Sequence, residues 1–185
     1  DLVRAGVAVH AFNQRDVAGI LAMVRTLGAL TGVPERAEAL VKELSQGIEM
    51  AAVPAGTPRP RVWFEEWDDP LISGIGWVSE LIARAGGADV FAALAGEQAA
   101  QGRIVAPDAV VAARPDVILA SWCGKKVRPG KIAARSGWDR IPAVRAGRIH
   151  EIKSPLILSP GPAALTDGFA AIRAAVAAAT VEGAA

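Results

Sequence analysis

Apolar residues recur at helical spacing through the first third of the chain. After Asp16, which favours an N-cap position, they follow at Val17, Ile20, Leu21, Val24, Leu27 and Leu30. This spacing predicts an amphipathic helix that ends at Thr31-Gly32. Pro34 suits the start of a second helix, whose apolar side continues to about Val53. Two helices in such close succession predict a long rod.

Upstream of the first helix, the pattern changes within twelve residues. Asp1-Leu-Val-Arg-Ala-Gly6 has the pattern of a last helical turn closed by a glycine, and Val7-Ala-Val-His-Ala-Phe12 has that of a strand. We therefore expect residues 1–31 to be the end of a larger unit, with one strand and one helix.

A proline-rich segment at 54–60 divides the chain, because its three prolines and one glycine cannot continue a helix. Beyond it, strand and helix patterns alternate. Strands are predicted at 61–67, 116–121 and 148–152, and helices at about 77–86, 89–95, 107–113, 129–134 and 162–179. This alternation predicts an α/β fold with a mostly parallel sheet flanked by helices.

Polar loops that carry tryptophan follow two of the predicted strands. Three of the five tryptophans lie within residues 61–77, and a fourth, Trp122, ends the strand at 116–121. Ligands of open parallel sheets bind beyond the carboxyl ends of the strands. Flat aromatic faces at two such ends therefore predict a site for a wide, partly apolar ligand.

Four carboxylates lie in the first of these loops, at Glu65, Glu66, Asp68 and Asp69. Such a cluster can bind a metal or supply an acid and a base, but strand alternation sends Glu65 and Glu66 to opposite faces unless a bulge intervenes. Asp68 or Asp69 either caps the turn at the following proline or contacts a ligand. Both alternatives remain open from the sequence.

The second loop places a cysteine beside two lysines, Lys125 and Lys126. A reactive Cys123 would also need an orienting base, and neither His10 nor His150 stands in a triad-like local pattern. A small thiol on the rim is therefore favoured over a cysteine hydrolase, which stays as a hypothesis of a different class. The glycines at 74–79 match a dinucleotide fingerprint poorly, because bulky side chains interrupt them.

Composition and charge restrict the partners further. A formal net charge of +1 without a long run of like charge gives no electrostatic reason to expect nucleic acid or an anionic membrane. The 52% share of hydrophobic residues supports a core without disulfides, and a single cysteine excludes an internal disulfide.

Several segments, taken in order, resemble one protein family. They are Phe64–Gly74, Trp77–Gly87, Ala113–Lys126 and Ser154–Pro162. Together they resemble the periplasmic substrate-binding proteins of ABC importers for cobalamin, haem and ferric siderophores, and the likeness is greatest to cobalamin-binding members.

This resemblance implies two α/β lobes joined by one long helix, with the ligand between them. It implies that residues 1–31 are a remnant of the amino-terminal lobe, 32–58 the interlobe helix and linker, and 59–185 the carboxy-terminal lobe. The implied function is capture of a cobalamin-like or other metal-chelate ligand, with a ferric siderophore or haem as the alternative. Delivery to an ABC permease involves no covalent chemistry, so no catalytic residue, resident metal or cofactor is expected.

The resemblance also implies ligand contacts at the two loops. The expected contacts are Glu66, Trp67, Asp68, Ser73, Gly74, Trp122, Cys123 and Lys125. It implies a location in the periplasm or on a lipid anchor outside the cytoplasmic membrane. An acidic residue for permease docking is expected near residues 158–159, where none stands, and Glu151 and Asp167 are the nearest acids. A strand without its own lobe also favours a homodimer.

Overall fold

The sheet of this protein has five strands, four of them in parallel register with a neighbour. The computed structural model describes residues 1–50, 53 and 56–182. Its strands are β1 (Arg61–Asp68), β2 (Leu71–Ser73), β3 (Ala88–Asp89), β4 (Val117–Ala120) and β5 (Ile149–Glu151). The order is β2-β1-β4-β5, with β3 beside the first residues of β1, and only β2 runs antiparallel. The α/β prediction is therefore confirmed.

Eight α-helices surround this sheet in the described residues. They are α1 (Val17–Leu30), α2 (Pro34–Glu49), α3 (Gly76–Arg84), α4 (Pro107–Ala113), α5 (Pro129–Ala133), α6 (Pro142–Arg145), α7 (Ser154–Ile157) and α8 (Phe169–Glu182). Four of them begin at a proline, whose missing N–H costs nothing in the first turn. Asp16 caps α1 as predicted, accepting a hydrogen bond from the Gly19 amide at 2.6 Å. None of the described helices combines the length and apolarity that a membrane span requires.

The two central strands, β1 and β4, are buried on both faces. One face packs Phe64 and Leu119 against α3 and α8, and the other packs Trp63 and Ile118 against the segment from α4 to α6. Because both faces are covered, these strands have continuous apolar sequences instead of alternating ones.

The first two helices fold back on each other instead of forming a long rod. The turn at Gly32, with φ of 74°, reverses the chain, and a Cβ at Gly28 would lie 2.2 Å from the Cβ of Ala37. Val24 and Val41 form an apolar cluster between the helices. Their apolar stripes can leave water only against a neighbouring surface, so a hairpin buries what a straight rod would expose. The predicted rod is therefore wrong.

Three other local predictions differ from the structure. Residues 7–12 are exposed and form no strand in the structure. No described strand lies beside them, and without a neighbour an extended segment gains no ladder hydrogen bonds. The predicted helix at 89–95 is only a 3₁₀ turn at Ala92–Leu94. The second helix ends at Glu49, before Val53.

The domain division stays a prediction. Positions 51, 52, 54 and 55, which include Pro54 of the predicted linker, lie outside the described residues. Ile20 of α1 and Leu44 of α2 belong to the same apolar cluster as Phe64 of the sheet. The first two helices therefore share a core with the unit that follows them.

Candidate functional site

The two tryptophan-bearing loops leave the sheet side by side. In the parallel pair of β1 and β4, Phe64 lies opposite Leu119 and Glu65 opposite Ala120. The β1–β4 pairing therefore ends at one edge of the sheet. Trp67 lies just past it, in the part of β1 that pairs with β2, and Trp122 lies in the loop after β4. The sequence predicted that these two segments lie side by side, and the strand pairing places them so.

Asp68 connects the two tryptophans through two lysines. Its carboxylate accepts a hydrogen bond from Lys131 Nζ at 2.7 Å and another from Lys125 Nζ at 3.2 Å. Lys125 Nζ lies 3.8 Å from the ring centre of Trp67, and Lys131 Nζ lies 5.6 Å from that of Trp122. These five residues form a contiguous arrangement that we call the Asp68 cluster.

The charges of the Asp68 cluster support one another. Burial by itself would raise the pKa of the Asp68 carboxyl, but the hydrogen bonds and charges of Lys131 and Lys125 outweigh burial and hold that pKa below its usual value. Asp68 is therefore ionised at neutral pH, and its charge keeps both ammonium groups at the rim. An ammonium over an indole face adds a further attraction.

A pocket of about 350 Å³ opens at the Asp68 cluster. It is lined by Asp68, Trp122, Lys125, Lys126, Arg128 and Lys131. The first three were expected as ligand contacts from the sequence, whereas Lys126, Arg128 and Lys131 were not. The run of basic residues after Trp122 was a visible indication, but Lys131 stands in α5, and only the fold brings it to Asp68.

Beneath this pocket, Glu65 is a fully buried carboxylate with three partners. Arg135 donates two hydrogen bonds to it, and the indole N–H groups of Trp63 and Trp122 donate one each, at 3.2 and 3.0 Å. Arg135 also stacks on Trp138, with 4.5 Å between the guanidinium carbon and the ring centre. Glu65 thus fixes the orientation of Trp122 from below the rim.

Glu66 is turned away from Glu65 and has a different arginine. Its carboxylate accepts hydrogen bonds from both terminal nitrogens of Arg103, at 2.6 and 3.0 Å, and Arg103 also donates to the carbonyl oxygen of Ser73. A bulge in β1 between Glu65 and Trp67 shifts the register with β2. Even with this bulge, the two glutamates do not converge on one point. Each instead pairs with a separate arginine.

Three more predicted contacts occupy other environments. Ser73 is 1% exposed and donates to the carbonyl oxygen of Arg103 at 3.3 Å. Gly74 is buried, and a Cβ there would lie 3.1 Å from Val78 Cγ1. Cys123 is an exposed free thiol beside the pocket. Ligand contact by these residues stays a prediction, and for Ser73 it would require its neighbours to move.

The structure offers no grouping for a resident metal ion within the described residues, since no set of three histidine, cysteine or acidic side chains converges there. Three of the four carboxylates in the acidic cluster instead pair with cations, Glu65 with Arg135, Glu66 with Arg103 and Asp68 with two lysines. Carboxylates paired in this way stabilise a loop and are not free for proton transfer.

Comparison with protein families gives one extended match. A family model described as periplasmic binding protein matches residues 1–156. A comparison with functionally curated proteins gives no significant sequence match.

Solved structures of low sequence identity share the fold. A possible iron-binding (periplasmic solute-binding) protein from Staphylococcus epidermidis superposes with a TM-score of 0.79 at 21% identity, over 95% of this chain and 68% of that one. The haem-binding protein RhuT from Roseiflexus gives 0.72 at 25% identity, over 95% and 70%. The vitamin B12 binding protein BtuF of Vibrio cholerae gives 0.69 at 18% identity, over 96% and 68%.

Proposed function

Because this chain belongs to the periplasmic binding protein family, we propose that it captures a metal-chelate ligand and delivers it to the permease of an ABC importer. The family consists of binding proteins and not of enzymes, and its members work outside the cytoplasm. The resemblance drawn from the sequence is thereby confirmed at the level of the family.

The position of the Asp68 cluster carries the proposal. Trp67, in the part of β1 that continues past its pairing with β4, and Trp122, in the loop after β4, lie at the end of the sheet where open parallel sheets bind their ligands. The half-buried indole of Trp67 suits the flat face of a macrocycle or an aromatic chelator, and the surrounding cations suit its polar arms. Trp122, which is 3% exposed, lines the pocket from beneath. Non-covalent capture needs such a surface and no nucleophile or general base.

The ligand is proposed at the level of its class. Proteins of this fold have been described as binding iron, haem and vitamin B12, and the sequence resembles most the cobalamin-binding members. We therefore propose cobalamin, haem and ferric siderophores as the set in which the ligand is found. Contacts through Trp67, Asp68, Trp122 and Lys125 are part of the proposal.

An enzymatic alternative finds little support in the site. A hydrolase built on Cys123 would need a histidine oriented toward the thiol, and His150 stands half-buried in β5 while His10 lies in the exposed amino-terminal segment. Three of the four carboxylates of the acidic cluster are held in ion pairs. Neither arrangement supplies an acid and base pair.

Equilibrium titration of the purified protein tests the proposed function. Cyanocobalamin, haemin, a ferric catecholate and a ferric trihydroxamate are added in turn, and tryptophan fluorescence and ligand absorbance are followed. One of them should bind saturably with quenching, and Trp67→Leu should weaken that binding about tenfold, the scale of a lost aromatic contact. Met50→Leu, at the exposed end of α2, is the matched control. If none of the four binds, the proposal is wrong.

A further inference from the structure

The charge around the pocket is strongly unbalanced. Four cationic side chains line it, those of Lys125, Lys126, Arg128 and Lys131, and we call them the basic rim. The lining contains one carboxylate, that of Asp68, so the pocket has an excess of three positive charges in a chain whose formal net charge is +1. Such a concentration of like charge raises the local concentration of anions.

From this imbalance we propose that the basic rim binds ionised acid groups, carboxylate or phosphate, carried by the ligand. The inference rests on the proposed function for the identity of the ligand as a chelate. It goes further by excluding a chelate whose periphery is neutral. The ligand class is thus an acid-bearing chelate, with its ring against Trp67 and its acid arms at the rim.

The hydrogen bonds to Asp68 leave further donors available on both lysines. Each of its two oxygens takes one ammonium group, Lys125 on one and Lys131 on the other. An ammonium group has three donors, so each lysine keeps two for other acceptors. Their side chains are 50% and 56% exposed, whereas that of Asp68 is 4% exposed. An incoming anion therefore meets the lysines before it meets Asp68.

Two other carboxylates of this region, those of Glu65 and Glu151, are engaged elsewhere. Glu65 is buried under the rim and paired with Arg135. Glu151 accepts a hydrogen bond from the Val127 amide at 3.0 Å. Within the described part of the chain, no ion pair joins Lys126 or Arg128 to a carboxylate. The positive charge of the rim is therefore left for a ligand.

The size of the pocket agrees with an acid arm and not with a whole chelate. At about 350 Å³ it lies near the lower end of the volumes of small-molecule sites, roughly 300 to 1,000 Å³. A macrocycle would extend beyond it across Trp67, the half-buried indole next to the rim. The pocket would then hold one or two acid groups that project from the ring edge.

Two matched pairs of chelates test the inference. Haemin carries two propionates and is compared with its dimethyl ester, which has the same ring without the charges. Ferric citrate is compared with a neutral ferric trihydroxamate. In each pair that binds, the acid-bearing member should bind at least about tenfold more tightly at low salt, and the difference should shrink at high salt as the charges are screened. Equal affinities within the pairs would overturn the inference and leave the proposed function intact.

Free anions and rim variants complete the test. Citrate and pyrophosphate alone, measured by calorimetry, distinguish carboxylate from phosphate recognition. Saturable binding of one of them to the wild type, reduced about tenfold or more by Lys131→Met or Lys125→Met, is expected. Lys42→Met, on the exposed face of α2, is the matched control and should change nothing. Urea unfolding of each variant verifies that the fold persists.

The results separate the two proposals. If neither free anion nor acid-bearing chelate binds while a neutral chelate does, the rim inference fails alone. If the anions bind at the rim but no chelate binds, the rim is confirmed as an anion site and the proposed function fails.

Discussion

Arg135 donates two hydrogen bonds to the fully buried carboxylate of Glu65, from Nη1 at 2.5 Å and from Nη2 at 2.8 Å. The two residues are 70 positions apart in sequence. Their pairing fixes the loop after α5 to the end of β1, directly under the pocket. Glu65 also accepts a hydrogen bond from the indole N–H of Trp122, which thus has a charged acceptor.

This pair predicts an asymmetric response to mutation. Arg135→Met leaves Glu65, which is 0% exposed, as an uncompensated buried charge and should cost about 3–5 kcal/mol of unfolding free energy. Glu65→Gln should cost less, because the Arg135 side chain is 17% exposed and can reach water. Urea unfolding measures both.

The exposed pair of Arg25 and Glu38 is the control for this comparison. The two side chains are 50% and 61% exposed, and the distance between Arg25 Nε and Glu38 Oε2 is 2.7 Å. Arg25→Met should therefore change the unfolding free energy little, because water screens an exposed pair. A cost at Arg135 no larger than that at Arg25 would contradict the structural role of the buried pair.

A second prediction concerns Arg103, whose side chain is 3% exposed. Its planar guanidinium serves both oxygens of Glu66 and the carbonyl oxygen of Ser73. A lysine ammonium cannot reproduce this fork, so Arg103→Lys should destabilise by about 1–3 kcal/mol through unsatisfied buried acceptors. Arg36→Lys, exposed on α2, should stay within about 0.5 kcal/mol of the wild type. If Arg103→Lys and the wild type had equal midpoints in thermal unfolding, the proposed role of the guanidinium fork would be refuted.

Two helical glycines should respond in opposite directions. Gly28→Ala places a methyl group 2.2 Å from the Cβ of Ala37 and forces α1 and α2 apart, at a cost of about 1–3 kcal/mol. Gly47→Ala meets no atom within 4 Å on the exposed side of α2 and should stabilise by about 0.5–1 kcal/mol. Thermal unfolding of the two variants compares them, and a stabilising Gly28→Ala would argue against the hairpin.

Burial gives His150 a pH-dependent effect on stability. It lowers the pKa of the imidazole below the ordinary value of about 6.5, and Nε2 has no partner among the described residues. Near pH 6 the unfolded chain therefore binds more protons at this site than the folded chain. The contribution of His150 is complete above the unfolded pKa and is lost as pH falls through the folded pKa.

The measurement is the unfolding midpoint of three proteins between pH 7.5 and 5. His150→Gln should remove part of the decrease in stability that the wild type shows on acidification. His10→Gln, in the exposed amino-terminal segment, should leave it unchanged. The interpretation fails if the profile of His150→Gln coincides with that of the wild type.

Local patterns were enough for several parts of the fold. The N-cap at Asp16 and the proline starts of α2 and α4 depend on contacts between residues near in sequence, and the two central strands were recognisable from their apolar runs. The alternation of strands and helices then determined the parallel sheet, and with it the neighbourhood of the loops that carry Trp67 and Trp122.

Tertiary structure decided everything that depends on distant partners. Lys131, Arg103 and Arg135 meet their carboxylates across 63, 37 and 70 positions. Nothing in a local pattern indicates which cation a carboxylate will meet. The same limit explains the segment 7–12, where alternation is a local property but strand formation requires a neighbouring strand.

The sequence by itself thus determined the longer helices and the two central strands, because hydrophobic periodicity and capping act within one or two turns. Only the tertiary structure decided that α1 and α2 pack as a hairpin, that Glu65 and Glu66 pair with Arg135 and Arg103, and that Lys131 joins the basic rim. Burial and charge pairing depend on the surfaces that the folded chain brings together.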